Sequence, residues 1–138
     1  MSKANLIEEF RVVVLLRRQL AEHRLRKRNL AFQTAQRELG ECEEQKIQVL
    51  EESASMLRER HKIFQQNTEN HLKLSQFDAV GKQARDKRVA AIDSLAKAES
   101  LFYRTRHNKE LAESRLKQRV KSELKLNKVL DCLGDDSE

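Results

Sequence analysis

Residues 73–83 read KLSQFDAVGKQ, in a chain of 138 residues with no proline and three glycines. Whether the chain reverses here or runs on decides the fold. Helical periodicity is clear on both sides. Before the stretch, Leu50, Ala54, Leu57, His61, Phe64, Thr68 and His71 alternate at steps of four and three. Nearer the start, Leu6, Phe10, Val13 and Leu20 keep that spacing, with Arg17 interrupting. After it come Ala91, Leu95, Ala98, Phe102, Thr105, Lys109, Ala112 and Leu116, then Leu126, Leu130 and Leu133. A mean step of about 3.5 residues puts such positions on one stripe that supercoils against a partner helix.

The two stripes do not share a register. From Phe64, Thr68 and His71 the next steps fall on Ser75, Asp78 and Lys82, all polar. Ser75 with Asp78 three residues on forms a capping box, and Leu74 with Ala79 sits where a hydrophobic staple would. Asn70 is a residue that can end the preceding helix. The reading is an all-α fold, one long antiparallel two-helix coiled-coil hairpin. Its first helix runs over about 5–72, its turn lies within about 70–80, its second helix over about 76–133, and an acidic tail fills 134–138. No proline forces the reversal, and a continuous rod is the alternative. Asn5 with Glu8 caps the first helix in this reading, and Gly134 ends the second.

Composition agrees with helix. Charged residues make up 36% of the chain and aromatics 4%, without tryptophan. The abundant residues (Ala, Leu, Glu, Lys, Arg, Gln) are strong helix formers. The hydrophobic fraction of 38% suits a narrow seam better than a globular core. Val12–Leu16, bracketed by Glu8, Glu9, Arg17 and Arg18, is too short for a membrane span or a secretory core, so a cytosolic chain without direct membrane insertion is expected. Net charge is +6, and it is unevenly spread: +6 over 1–37, −5 over 38–59, +9 over 60–128 and −4 over the last ten residues. The blocks mark contact surfaces or a solvated rod.

With the turn centred between 72 and 79, Leu133 lies opposite residues 11–25 and at least the first ten residues overhang. Val12–Leu16 are consecutive and cover the whole helix circumference, more apolar surface than a two-helix seam uses. The same register sets Cys132 opposite residues 12–26, about 24–45 Å along the rod from Cys42. That excludes an internal disulfide.

No catalytic constellation, metal-ligand set or cofactor motif is present, and an enzyme is not expected. His23, His61, His71 and His107 are scattered, with His61 and His71 on the seam stripe. HRLRKRN, residues 23–29, is a basic segment that could meet phosphates. A basic zipper needs leucines downstream, where positions 30, 37, 44 and 51 are Leu, Arg, Glu and Glu. Nucleic acid is therefore not the expected partner, and an acidic protein face or solvent is.

LIEEFRVVVLLRRQLAEHRLRKR at the start, LSQFDAVGKQARDKR at the break and LKLNKVLDCL near the end together resemble the stalk proteins of bacterial type III export systems, the YscO/FliJ family. The resemblance is architectural and covers the whole chain. It implies a central stalk whose paired ends enter a hexameric secretion ATPase and whose remainder reaches the cytoplasmic domain of an export gate subunit, coupling ATPase to protein export. It places the protein in the bacterial cytoplasm, peripheral to the inner membrane, with secretion chaperones as further partners. Phe10, Val13, Val14, Leu15 and Leu16 would then fill the bore, with Leu126, Leu130 and Leu133 beside them. Arg17, Arg18, Arg24, Arg26 and Arg28 would meet acidic ring loops, and Phe77, Val80, Lys82 and Arg85 would touch the gate. In that role Phe77 anchors the tip; the other reading folds it back to close the seam. The alternative function is a generic coiled-coil adaptor or chaperone-like scaffold without an ATPase partner.

Overall fold

The computed structural model describes the backbone of residues 2–66 and 71–135 and the side chains of 2–65 and 76–134. Two helices account for nearly all of it: α1 spans Lys3–Gln66 and α2 spans His71–Asp135. They pack antiparallel as an all-α hairpin. Arg11 meets Asp131, Arg18 meets Glu123, Phe32 meets Lys109, Ser53 meets Ala84 and Phe64 meets Phe77, so numbers rise along one helix as they fall along the other.

The helix ends differ from the expected ones. Ser2, not Asn5, caps α1. Its Oγ accepts the Asn5 N–H at 3.3 Å, and its carbonyl oxygen accepts the Asn5 and Leu6 N–H groups at 3.1 and 3.3 Å. The free N–H groups of the first turn thus find partners one turn earlier than a cap at Asn5 would allow. Ser75 lies inside α2, four residues past its start, so its backbone is helical and cannot serve as a cap. Asp135 is still helical, and no glycine has a positive φ, so Gly134 continues α2 instead of ending it. The expected turn region is helical from His71 onward, and residues 67–70, including Asn70, lie outside the described residues.

The pairing of the two helices removes the overhang. The helices have 64 and 65 residues, and Arg11 pairs with Asp131. Val12–Leu16 therefore runs alongside α2 and not beyond its end.

Contacts divide the structure into two compact units, one of Met1–Gln33 with Arg104–Glu138 and one of Thr34–Tyr103. In the second unit the seam of α1 is carried by Ala35, Leu39, Cys42, Lys46, Val49, Ser53, Met56 and Arg60, at least half-buried and stepping by four and three. Gly81, Ala84, Arg88, Ala91, Leu95 and Ala98 face them from α2. The contact is close because the residues are small. Ala84 is completely buried, and the Ser53 hydroxyl donates to the Ala84 carbonyl oxygen at 3.4 Å, side chain to opposing backbone. In the first unit Val14, Arg18, Ala21, Leu25 and Phe32 of α1 form the seam, and Thr105, Lys109, Ala112, Leu116, Glu123, Leu126 and Leu130 form it on α2.

The α2 stripe is the expected one, except that Leu133 is exposed. The α1 stripe is not. Leu6, Phe10, Val13, Leu20, Leu50, Ala54, His61 and Phe64 are exposed, Leu57 alone is half-buried, and the seam runs through the neighbouring stripe instead. A one-residue shift rotates a helix face by about 100°. Many large side chains of α1 lie on flanking faces, while Ala21, Ala35 and Ser53 in its seam admit the backbone of α2. Thr68 and the side chain of His71 lie outside the described residues.

This packing leaves no room for larger side chains. Ala84→Leu is expected to lower stability by about 1–3 kcal/mol, the usual cost of overpacking. Val89→Leu, at an exposed site on the same helix, is expected to leave the melting temperature unchanged. Thermal melts followed by circular dichroism check both.

Candidate functional site

The first unit carries a groove of about 1170 Å3 between α1 and α2. Its origin lies in the heptad columns. In α1 the seam column that holds Val14, Ala21 and Ala35 places Arg28 between the two alanines; in α2 the column of Thr105, Ala112 and Leu126 places Arg119. An arginine cannot be buried against an alanine-thin layer, and both guanidinium-bearing residues are exposed. The seam opens where they stand.

Six bases border the groove: Arg17, Arg24, Lys27 and Arg28 from α1, Arg115 and Arg119 from α2. Leu20, Ala21, Ala31, Leu111 and Ala112 supply its apolar lining, and no acid is among the lining residues described. None of the six bases is ion-paired among the described residues. The neighbouring acids are committed elsewhere. Glu123, with 14% of its side chain exposed, accepts from Arg18 at 3.0 Å, Glu22 lies 3.6 Å from the same guanidinium, and Asp131 pairs with Arg11. Arg18 is thus a seam residue that pins the register to Glu123, and not a free base for a partner. One Glu123 oxygen and the Arg18 Nε lack hydrogen-bond partners, so the pair contributes position more than stability.

Beside the groove, α1 presents its apolar run. Phe10 is 55% exposed, Val13 45% and Leu16 57%; Leu15 is exposed too, while Val14 alone is half-buried in the seam. Arg24, Arg26 and Arg28 are exposed. On α2, Leu126 and Leu130 belong to the seam, and Leu133 is exposed. The structure therefore brings together the exposed Phe10, Val13, Leu15, Leu16, Arg17, Arg24, Arg26 and Arg28 in one unit, and takes Val14, Arg18, Leu126 and Leu130 into the seam. Sequence reasoning had Lys27 within the basic segment 23–29 and missed Arg115 and Arg119. The signal was there: Arg28 and Arg119 sit in columns otherwise held by small or apolar residues.

The second unit holds the other candidates. Phe77 is half-buried, with its ring 5.2 Å from that of Phe64 and the Arg60 guanidinium 3.6 Å above it. Phe77 closes the seam. Val80 is half-buried as well, whereas Lys82 and Arg85 are exposed. A Cβ at the buried Gly81 would overlap the Arg60 guanidinium. Glycine at 81 is what lets that group reach the Phe77 ring.

Among the described residues no group of three or more His, Cys, Asp or Glu could hold a metal ion, and no helix is long and apolar enough to cross a membrane. Cys42 and Cys132 are free. Comparison with protein-family models, with characterised proteins and with solved structures finds no match to the chain.

Gly81→Ala sets two effects against each other. Alanine in a helix interior gains about 1 kcal/mol over glycine, and displacing Arg60 forfeits a cation–π contact of about 0.5–1 kcal/mol. The substitution alone is expected to leave stability nearly unchanged. In an Arg60→Ala background it is expected to stabilise by about 1 kcal/mol. A double-mutant cycle by denaturant unfolding measures the difference.

Proposed function

We propose that this hairpin is the central stalk of a bacterial type III export apparatus. The unit containing residues 3–33 and 104–135 sits in the bore of a hexameric secretion ATPase, and the exposed Lys82 and Arg85 contribute to contact with the cytoplasmic domain of an export gate subunit. The observation that carries this reading is the excess of exposed apolar surface from Phe10 to Leu16. Side chains in this run point around the whole circumference of α1, yet α2 covers one side only. A partner that encloses the helix pair would cover the remainder, as a ring does and a flat surface does not. The bases Arg17, Arg24, Arg26 and Arg28 border the same surface, which suits acidic loops at the mouth of a bore. In this role the protein performs no chemistry. It transmits position or torque, works at the cytoplasmic face of the inner membrane, and offers its remaining surface to secretion chaperones.

The seam assignment makes the test sharp. Val13→Asp and Leu16→Asp place a charge on exposed positions and are expected to leave the melting of the isolated protein within a few degrees of wild type. Each is expected to abolish binding and stimulation of the cognate ATPase, because a carboxylate in an apolar bore costs several kcal/mol. Val14→Asp, half-buried in the hairpin's own seam, is expected to lower the melting temperature as well. If Val13→Asp and Leu16→Asp bind and stimulate the ATPase normally, the run is not the bore contact.

A further inference from the structure

We propose that the basic groove of the first unit takes the acidic ridge of α1 from a second copy of the chain, centred on Ile47 and Leu50. The inference does not rest on the stalk reading, since both halves of the contact belong to the purified chain; Arg17, Arg24 and Arg28 serve both contacts, so self-association belongs to the chain outside a ring.

The groove needs an occupant with two properties. Six cations with no ion-pair partner among the described residues surround it and repel one another, so the occupant must be acidic. Its lining includes Leu20, Ala31 and Leu111, so the occupant must also be apolar along its centre. A nucleic-acid backbone would answer the bases and leave the apolar floor uncovered. A flat anionic membrane would meet the outer bases and not enter a groove. A helix with an apolar crest flanked by acids satisfies both demands.

The chain contains such a helix face. Residues 38–59 carry a net charge of −5, and they lie entirely in the second unit. Glu43, Ile47, Leu50 and Ala54, spaced by four and three, share one face of α1, and Glu44 and Glu51 flank it. The seam does not use this face: all six residues are exposed, Ile47 at 57% and Leu50 at 42%. The crest Ile47–Leu50 matches the floor, and Glu43, Glu44 and Glu51 match the bordering arginines. Two features that are each unfavourable in isolation, crowded cations and bare apolar side chains, cover one another when two copies meet.

Sedimentation velocity on the purified full chain tests this, with two charge-reversal variants. Wild type is expected to self-associate in a concentration-dependent way at about 0.05 M salt and to dissociate at about 0.5 M, where the screening length falls to a few Å. The groove variant Arg24→Glu/Arg28→Glu and the ridge variant Glu44→Lys/Glu51→Lys are each expected to associate at least about tenfold more weakly, with unchanged helical circular dichroism. Mixing the two variants is expected to restore association, because the intact basic groove of the ridge variant then meets the intact acidic ridge of the groove variant. The proposal is overturned if wild type stays monomeric at low salt. It is equally overturned if each folded variant associates like wild type, or if the mixture of two folded, monomeric variants stays monomeric. Monomeric wild type that binds a duplex oligonucleotide or anionic phosphatidylserine vesicles through Arg24 and Arg28 would assign the groove to that ligand instead.

Discussion

The close approach of the two helices rests on a column of small side chains in α2. Ala84, Ala91, Ala98, Thr105 and Ala112 recur at every seventh residue, and α1 answers with Ala21, Ala35 and Ser53, all buried. Small residues let the backbones near each other, close enough for the Ser53 hydroxyl to reach the Ala84 carbonyl oxygen. The consequence is a thin core. The buried hydrophobic residues described are alanines and Leu130, so each layer contributes little apolar area and stability accumulates over many layers. Polar residues within the seam do not wreck such a core: Arg18 is paired there with Glu123 at 3.0 Å, and Lys46 and Arg88 are only half-buried.

The site follows from the same constraint. A column built for alanine tolerates serine or threonine and rejects a buried arginine. Where Arg28 and Arg119 enter the columns, the helices cannot close over them, and an open basic groove results. Near the other set of candidates the constraint is met differently: Gly81 vacates space, the Arg60 guanidinium occupies it, and Phe77 is held against Phe64. A phenylalanine that seemed available for docking is thereby used in packing, and Lys82 and Arg85 are the candidates of the second unit that stay exposed.

How far the sequence alone could reach is clearest in the contrast between the helices. On α2 the expected stripe from Ala91 to Leu130 is the seam, because its small and large apolar residues fall on one face. On α1 the large residues are divided among faces, and the spacing of apolar residues selected the stripe of Leu50, Ala54 and Phe64 over that of Val49, Ser53 and Met56. A serine reads as a surface residue until the partner backbone that accepts its proton is known. The break at 73–83 misled for a related reason. Ser75 and Asp78 have capping-box spacing, and only the helical backbone from His71 onward removes the cap. Gly81 is a packing residue beneath Arg60. The basic segment 23–29 was visible at once, but its partners Arg115 and Arg119 join it only through the antiparallel pairing.

The seam assignment on α1 is the claim on which the groove, the exposed apolar run and the acidic ridge all depend, and cysteine cross-linking tests it most directly. In a chain with Cys42→Ala and Cys132→Ser, the pair Ser53→Cys with Ala84→Cys is expected to form an intramolecular disulfide readily under mild oxidation, because those positions face each other across the closest part of the seam. The pair Leu50→Cys with Ala84→Cys, which uses the flanking stripe, is expected to remain reduced under the same conditions. Efficient cross-linking through Leu50→Cys with none through Ser53→Cys would contradict the account, rotating α1 back to its large-residue face and closing over the surface assigned here to partners.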